Sequence, residues 1–123
     1  MNKKQSLQEL FSTVTNYFSP KIVGEVNNVY IKIVKTKGQD VPWHTHDHED
    51  EMFFIIKGQL IMEIKERTCI NLNKGEFFIV KQGTEHRVYS EKECWLMLIE
   101  NKTTKHTGDV RSSITRTIAE QQY

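Results

Sequence analysis

The chain has 123 residues, 37% hydrophobic and 27% charged, which fits one domain with a single modest core. Seventeen Lys and Arg against sixteen Asp and Glu leave a net charge of +1, so there is no electrostatic case for nucleic acid or an anionic membrane surface. No apolar run approaches the roughly 18 residues of a membrane helix, and the polar start Met1-Asn2-Lys3-Lys4-Gln5-Ser6 does not read as a secretory signal, so a cytoplasmic protein is expected.

Residues 6–16 carry Leu7, Leu10, Phe11 and Val14 at helical spacing, with Ser6 and Glu9 placed as a capping box. Pro20 ends any helix there. Short β-rich runs follow: Ile22–Val26 and Val29–Lys35 around the turn pair Asn27-Asn28, then Val41–His46. Past the acidic loop Asp47-His48-Glu49-Asp50 come Met52–Lys57 and Gln59–Lys65 about Gly58, then Thr68–Leu72 after Glu66-Arg67. Asn73-Lys74-Gly75 reads as a turn, and Glu76–Val80, Glu85–Ser90 and Cys94–Glu100 complete the series. Evenly spaced short strands predict an antiparallel sandwich or barrel. Residues 101–123 form a polar tail expected to wrap a neighbour or fray. Cys69 and Cys94 lie inside strand runs and read as buried free thiols.

One constellation carries chemistry. His44 and His46 are two apart, so an extended chain points both the same way. Glu51 opens the next strand, and His86 arrives from another. Three imidazoles and a carboxylate suit a divalent transition metal (Fe, Mn, Ni or Zn, with Co and Cu also of this class) better than Ca or Mg. An octahedral ion would keep two positions open for water or substrate, whereas a tetrahedral Zn would be closed and structural. Sequence does not choose between them.

Glycines frame these residues. Gly38, five residues, His44-Thr45-His46, four residues, Glu51, six residues and Gly58 resemble the first cupin motif. Gly75, seven residues, Gly83, two residues and His86 resemble the second, with Lys81 where proline is usual and Ser90 where asparagine is usual. The chain resembles small single-domain cupins, a group often labelled mannose-6-phosphate isomerase-like. The stretches 17–23 and Thr107-Gly108-Asp109-Val110 are similar to that group as well. The resemblance implies an all-β antiparallel double-stranded β-helix, a jelly-roll barrel over about residues 22–100, with a short N-terminal helix. It also implies a divalent metal and no single chemistry, since fold does not give function.

Around the constellation, Phe53 and Ile55 share the face of Glu51, and Val88 shares that of His86; these three are the candidate pocket lining. Phe54 and Ile56 face away, as do Arg87 and Tyr89. Trp43 reads as core or interface packing, Lys57 and Lys81 as solvated turn lysines, Asp47, Glu49 and Asp50 as a solvated loop, and His48 and His106 as surface histidines. Two classes of function remain, a metal-dependent enzyme acting on a small polar molecule and a small-molecule binding module. A purely structural metal is a third. No general base stands out, and no Arg or Lys cluster marks a sugar-phosphate isomerase. Strands apolar on both faces need cover, which predicts a homodimer.

Overall fold

The structure is a computed structural model that describes residues 3–66 and 69–123. Met1, Asn2, Arg67 and Thr68 lie outside the described residues, and with them the first two residues of the polar start, the second residue of the Glu66-Arg67 turn and the expected first residue of the strand at 68.

Helix α1 (Leu7–Ser12) is capped by Ser6, whose hydroxyl accepts from the Glu9 N–H. It is shorter than the expected 6–16, because Thr13 closes it by bonding back to the Leu10 carbonyl through both N–H and hydroxyl. Its apolar side packs on its own sheet. Phe11 stacks on Trp95 with ring centroids 4.9 Å apart, and Val14 and Ile33 complete this small outer core.

Strands β1 (Lys21–Val26) and β2 (Val29–Gly38) form a hairpin through Asn27-Asn28. Asn27 takes φ +52°, a conformation Asn tolerates better than most side chains. Strands β3 (Glu51–Lys57), β4 (Gln59–Ile64), β5 (Cys69–Asn73) and β6 (Phe77–Val80) follow, all paired antiparallel. The β3–β4 turn rests on Gly58 at φ +83°, where a Cβ would sit 2.7 Å from the Glu93 carbonyl oxygen.

Strand β7 (His86–Asn101) runs through what reads in sequence as two strands. Its first residues pair with β4, and from Cys94 onward it pairs with β2 on one side, joined by β3 on the other from Trp95. The register breaks between Thr36 and Gly38 on β2, opposite Cys94 and Ser90. The exposed Glu91 and Lys92, with Glu93, are therefore a bulge, not a loop. Sixteen extended residues would span about 50 Å if straight. Yet His86 at one end stands 3.4 Å from Glu51, which pairs with Glu100 near the other. The strand curls round the barrel and returns both ends to one place.

The barrel interior is filled by Val34, Phe53, Ile55, Leu60, Met62, Leu72, Val80, Val88, Cys94, Leu96 and Leu98. Burial alternates along β3 and β7, with Phe53, Ile55 and Val88 inward and Phe54, Ile56, Arg87 and Tyr89 less buried, as the two-residue period requires. Two expectations are corrected. Residues 41–46 form no strand: only His44 makes a bridge, and Pro42 has no N–H to extend a ladder. The tail neither frays nor leaves its own barrel. It folds back through buried Thr104, Thr107, Ile114 and Gln121 to helix α2 (Ile118–Gln121), which a full capping box opens at Thr117 and Glu120. Beyond α2, Gln122 bridges to Ile22, and the Tyr123 hydroxyl meets that of Thr13 at 2.7 Å. No described helix is long and apolar enough to cross a membrane.

Candidate metal centre

Backbone pairing builds the site. His44 and His86 exchange both hydrogen bonds of a bridge, N–H to carbonyl, at 3.0 and 2.9 Å. Gly83 donates its N–H to the His46 carbonyl at 2.9 Å. These contacts tie the irregular 42–46 segment to the start of β7, while Glu51 enters from the first position of β3.

The four side chains converge. His44, His46, Glu51 and His86 are all buried, and each offers one ligand atom within 4.8 Å of the others. Glu51 Oε1 lies 3.5 Å from His46 Nε2 and 3.4 Å from His86 Nε2. The hydrogen bonds behind the rings set their tautomers. His44 Nδ1 faces the Pro42 carbonyl at 2.8 Å and His86 Nδ1 faces the Thr84 carbonyl at 2.9 Å, and a carbonyl only accepts. Both Nδ1 atoms therefore carry hydrogen, leaving both Nε2 lone pairs free, the usual arrangement behind a ligating histidine. His46 Nε2, His86 Nε2 and Glu51 Oε1 are buried with no hydrogen-bond partner. Lone pairs turned on one another in a dry interior repel; a cation among them removes that cost. The residues fit a metal ion on this ground.

Behind Glu51 lies a group that the sequence reading passed over. Glu100 is its register partner on β7 and faces it in the interior, and Lys32 Nζ stands 2.6 Å from Glu100 Oε1. Burial and the Glu51 charge push the Glu100 carboxyl well above its ordinary range. Burial would raise Glu51 too, but the neighbouring Glu100, His46 and His86 hold it well below. Of the two carboxyls, Glu51 is thus the more readily ionised and Glu100 the more readily protonated. Burial disfavours charge on His46, but Glu51 outweighs it and the pKa rises. For His44, burial and then the charge of His86 bring it down to about 4. The missed signal was parity: Lys32 shares its face of β2 with Val34 and Thr36, so this lysine points inward.

A cavity of about 40 Å³, room for a few waters, adjoins the cluster. His44 and Glu51 open onto it, along with the non-ligand groups Thr36 and His106. The other walls are apolar and include Phe53 and Val88. Ile55 does not reach it and sits in the sealed barrel core, one pleat further from Glu51. His106, expected at the surface, is a half-buried wall of this cavity, brought there by the folded-back tail.

Both motif departures are locally compensated. Lys81, in the proline position, and the Gln82 N–H both bind the Asp50 carboxylate, at 3.1 and 2.9 Å. Asp50 therefore braces the turn that carries Gly83 and is not merely a solvated loop residue. Ser90, in the asparagine position, meets the Thr36 hydroxyl at 2.7 Å in the interior. Trp43 turns away from the ligands and lies under the Arg87 guanidinium at 4.8 Å, and Cys69 is exposed while Cys94 is buried, both as free thiols.

Residues 32–100 match the profile of the family described as the Cupin domain. The protein YdbB of Bacillus subtilis (strain 168) is 26% identical over 102 residues, 83% of this chain and 89% of that protein. A solved cupin-2 domain protein from Shewanella frigidimarina is 31% identical, with a TM-score of 0.75 over 79% of this chain and 93% of its own. A solved Neisseria meningitidis protein is 27% identical, with a TM-score of 0.73 over 80% of this chain and 99% of its own. With the family profile spanning more than half of its residues, on a barrel of this topology, the chain belongs to the cupin family.

Proposed function

We propose that the chain is a metal-dependent cupin enzyme whose divalent transition metal is held by His44, His46, Glu51 and His86. The observation that carries this reading is the convergence of unpartnered, buried Nε2 and Oε1 atoms beside a cavity on the His44 and Glu51 side. A metal there would act as a Lewis acid or redox centre toward a bound small molecule. The chain's own residues do the rest. Carbonyls of Pro42 and Thr84 fix two rings, Glu100 and Lys32 fix the carboxylate, and the apolar walls exclude water.

Those walls refine the substrate class. The cavity suits a compact molecule with an apolar body and one or two oxygen or nitrogen atoms to turn toward the metal, rather than a polyol. A sugar-phosphate isomerase finds little support, because no Arg or Lys lines the cavity among the described residues. A wholly apolar pocket would favour a binding module; His106, a polar wall that is not one of the four ligands, favours an enzyme.

The test is metal content of untagged protein purified without chelator or oxygen, beside His46→Ala. Near-stoichiometric Fe, Mn, Ni or Zn, lost in the variant, supports the reading and directs the assays. An absence of metal in the wild type, with none taken up on titration, sinks it. We further take the chain to pair with a second copy, since Phe77 and Ile79 on β6, the last strand of the sheet path, remain 55% and 44% exposed. A monomer mass by light scattering would remove that part.

A further inference from the structure

The ligand histidines and His106 present opposite edges. His44 and His86 give their Nδ1 hydrogens to carbonyls and keep Nε2 lone pairs. At His106 the Arg116 N–H donates to Nδ1 at 3.0 Å. That nitrogen is therefore the acceptor, and in the neutral ring the hydrogen sits on Nε2. His106 does not add another lone pair to the cluster; its ring lines the cavity, with Nε2 as its donor nitrogen.

The remaining lining isolates that donor. The Thr36 hydroxyl is engaged with Ser90, His44 and Glu51 belong to the metal cluster, and the other walls are apolar. Apart from the Thr36 hydroxyl, whose hydrogen is shared within its pair with Ser90, no other described lining residue offers a polar hydrogen that is not already engaged. The ring is held firmly. The neighbouring Thr107 hydroxyl donates to the Val110 carbonyl and meets that of Thr115, and Gly108 packs on the Thr45 carbonyl between His44 and His46. His106 also borders an outer groove lined by Lys105, Asp109, Arg111 and Arg116, so it is the partition between that groove and the inner cavity.

We propose that His106 is the ligand-recognition group of the cavity. Its Nε2–H donates a hydrogen bond to an oxygen or nitrogen acceptor of a small molecule bound on the His44 and Glu51 side of the cluster. This selects compact ligands that carry an anionic or strongly accepting atom next to the one on the metal, over ligands apolar at that point. It deepens the metal-enzyme reading and rests on it. A preorganised donor in a largely apolar cavity is where one hydrogen bond discriminates most.

The test uses azide, a small anion that fits the cavity, titrated into cobalt-loaded protein and followed by visible absorption. His106→Asn keeps an acceptor for the Arg116 N–H but withdraws the donor; His106→Phe removes both; His106→Gln returns an N–H to the Nε2 position. Cobalt stoichiometry should be unchanged in all three. The azide Kd should rise about tenfold or more in the Asn and Phe variants and stay within about threefold of wild type in Gln. Unchanged azide affinity in both Asn and Phe, with cobalt bound, overturns this inference and leaves the metal reading standing. Failure of the wild type to take up cobalt overturns both. Independently of any metal, nitrogen NMR of the His106 ring should show the Nε2–H tautomer, and the Nδ1–H form would also overturn the proposal.

Discussion

Lys32 Nζ lies 2.6 Å from Glu100 Oε1, with the two side chains 1% and 2% exposed. The pair sits directly behind Glu51 of the candidate metal cluster, so the interior holds one ammonium against two carboxyl groups. Removing one partner of a buried pair leaves an uncompensated charge and costs about 3–5 kcal/mol, whereas replacing both by apolar groups often costs little. Lys32→Met is expected to fall in that range in denaturant unfolding of the metal-free protein, and Lys32→Met/Glu100→Leu to be milder. Lysine is also a positive charge near the metal cluster. Its loss should enlarge, not reduce, the rise in Tm on adding zinc. A smaller zinc shift in Lys32→Met would contradict this account.

Metal-free stability should depend on pH through the two depressed histidines. Burial and the charge of His86 take His44 to about 4, and burial and the charge of Lys32 take His106 to about 4. Unfolded histidines titrate near 6.5. Between those limits the unfolded chain binds protons that the native chain refuses, so stability rises with pH there and is lost as pH falls from about 6.5 to about 4. Each ring contributes on the order of 2–3 kcal/mol over that span. His46 acts oppositely: its raised pKa adds stability that is present below 6.5 and lost as pH rises through the folded value. Glu100, raised by burial and the Glu51 charge, acts in the same direction as His46, so the readout is a comparison: on going from pH 7 to 4.5 in urea unfolding, His106→Asn should lose less stability than wild type. Identical pH profiles in wild type and His106→Asn would show that the His106 ring is not buried neutral.

The candidate metal cluster and the alternation of β3 were legible because residue spacing and the two-residue period are local properties of sequence. His44 and His46 needed only an extended backbone to point together, and Glu51, Phe53 and Ile55 only a straight strand. What escaped depends on distance along the chain. Residues 91–93 fall between the two expected strands Glu85–Ser90 and Cys94–Glu100, yet the pairing that flanks them continues β7 through them. His106 looks like a surface residue because its burial comes from the tail's return to β1 and α1, anchored by Gln121, Gln122 and Tyr123. Ile55 is in phase with Phe53, but phase gives the face of a strand, not the depth at which a cavity ends.

Asp50 stands in for the stiffness that a proline at position 81 would supply. Its carboxylate accepts from the Gln82 N–H and from Lys81, which in that order hold its pKa below the usual range, and the adjoining Gly83 N–H donates to the His46 carbonyl. Asp50→Ala should therefore speed metal release to a chelator several-fold while changing Tm only slightly, since the clamp is at the surface. Lys81→Pro in that background should restore slow release by fixing φ at the turn. Equal chelator kinetics in wild type and Asp50→Ala would remove the clamp from the account of the site.

The two thiols should separate cleanly in reactivity. Burial pushes the Cys94 thiol up to about 11, and its side chain lies within the barrel core, while Cys69 is exposed on β5. Thiolate is the reactive form, so Cys94 is both protonated and out of reach near neutral pH. An aromatic disulfide reagent at pH 7.5 should consume one thiol per native chain and two in guanidinium chloride. Cys69→Ser should abolish the native reaction. Rapid loss of a second thiol in the native wild type would mean that the barrel opens beside Thr36 and Ser90, the hydroxyl pair at the cavity wall. Slow, unfolding-limited release of Cys94 instead ties the seal of the cavity to the global stability of β7, the strand that carries both His86 and Glu100.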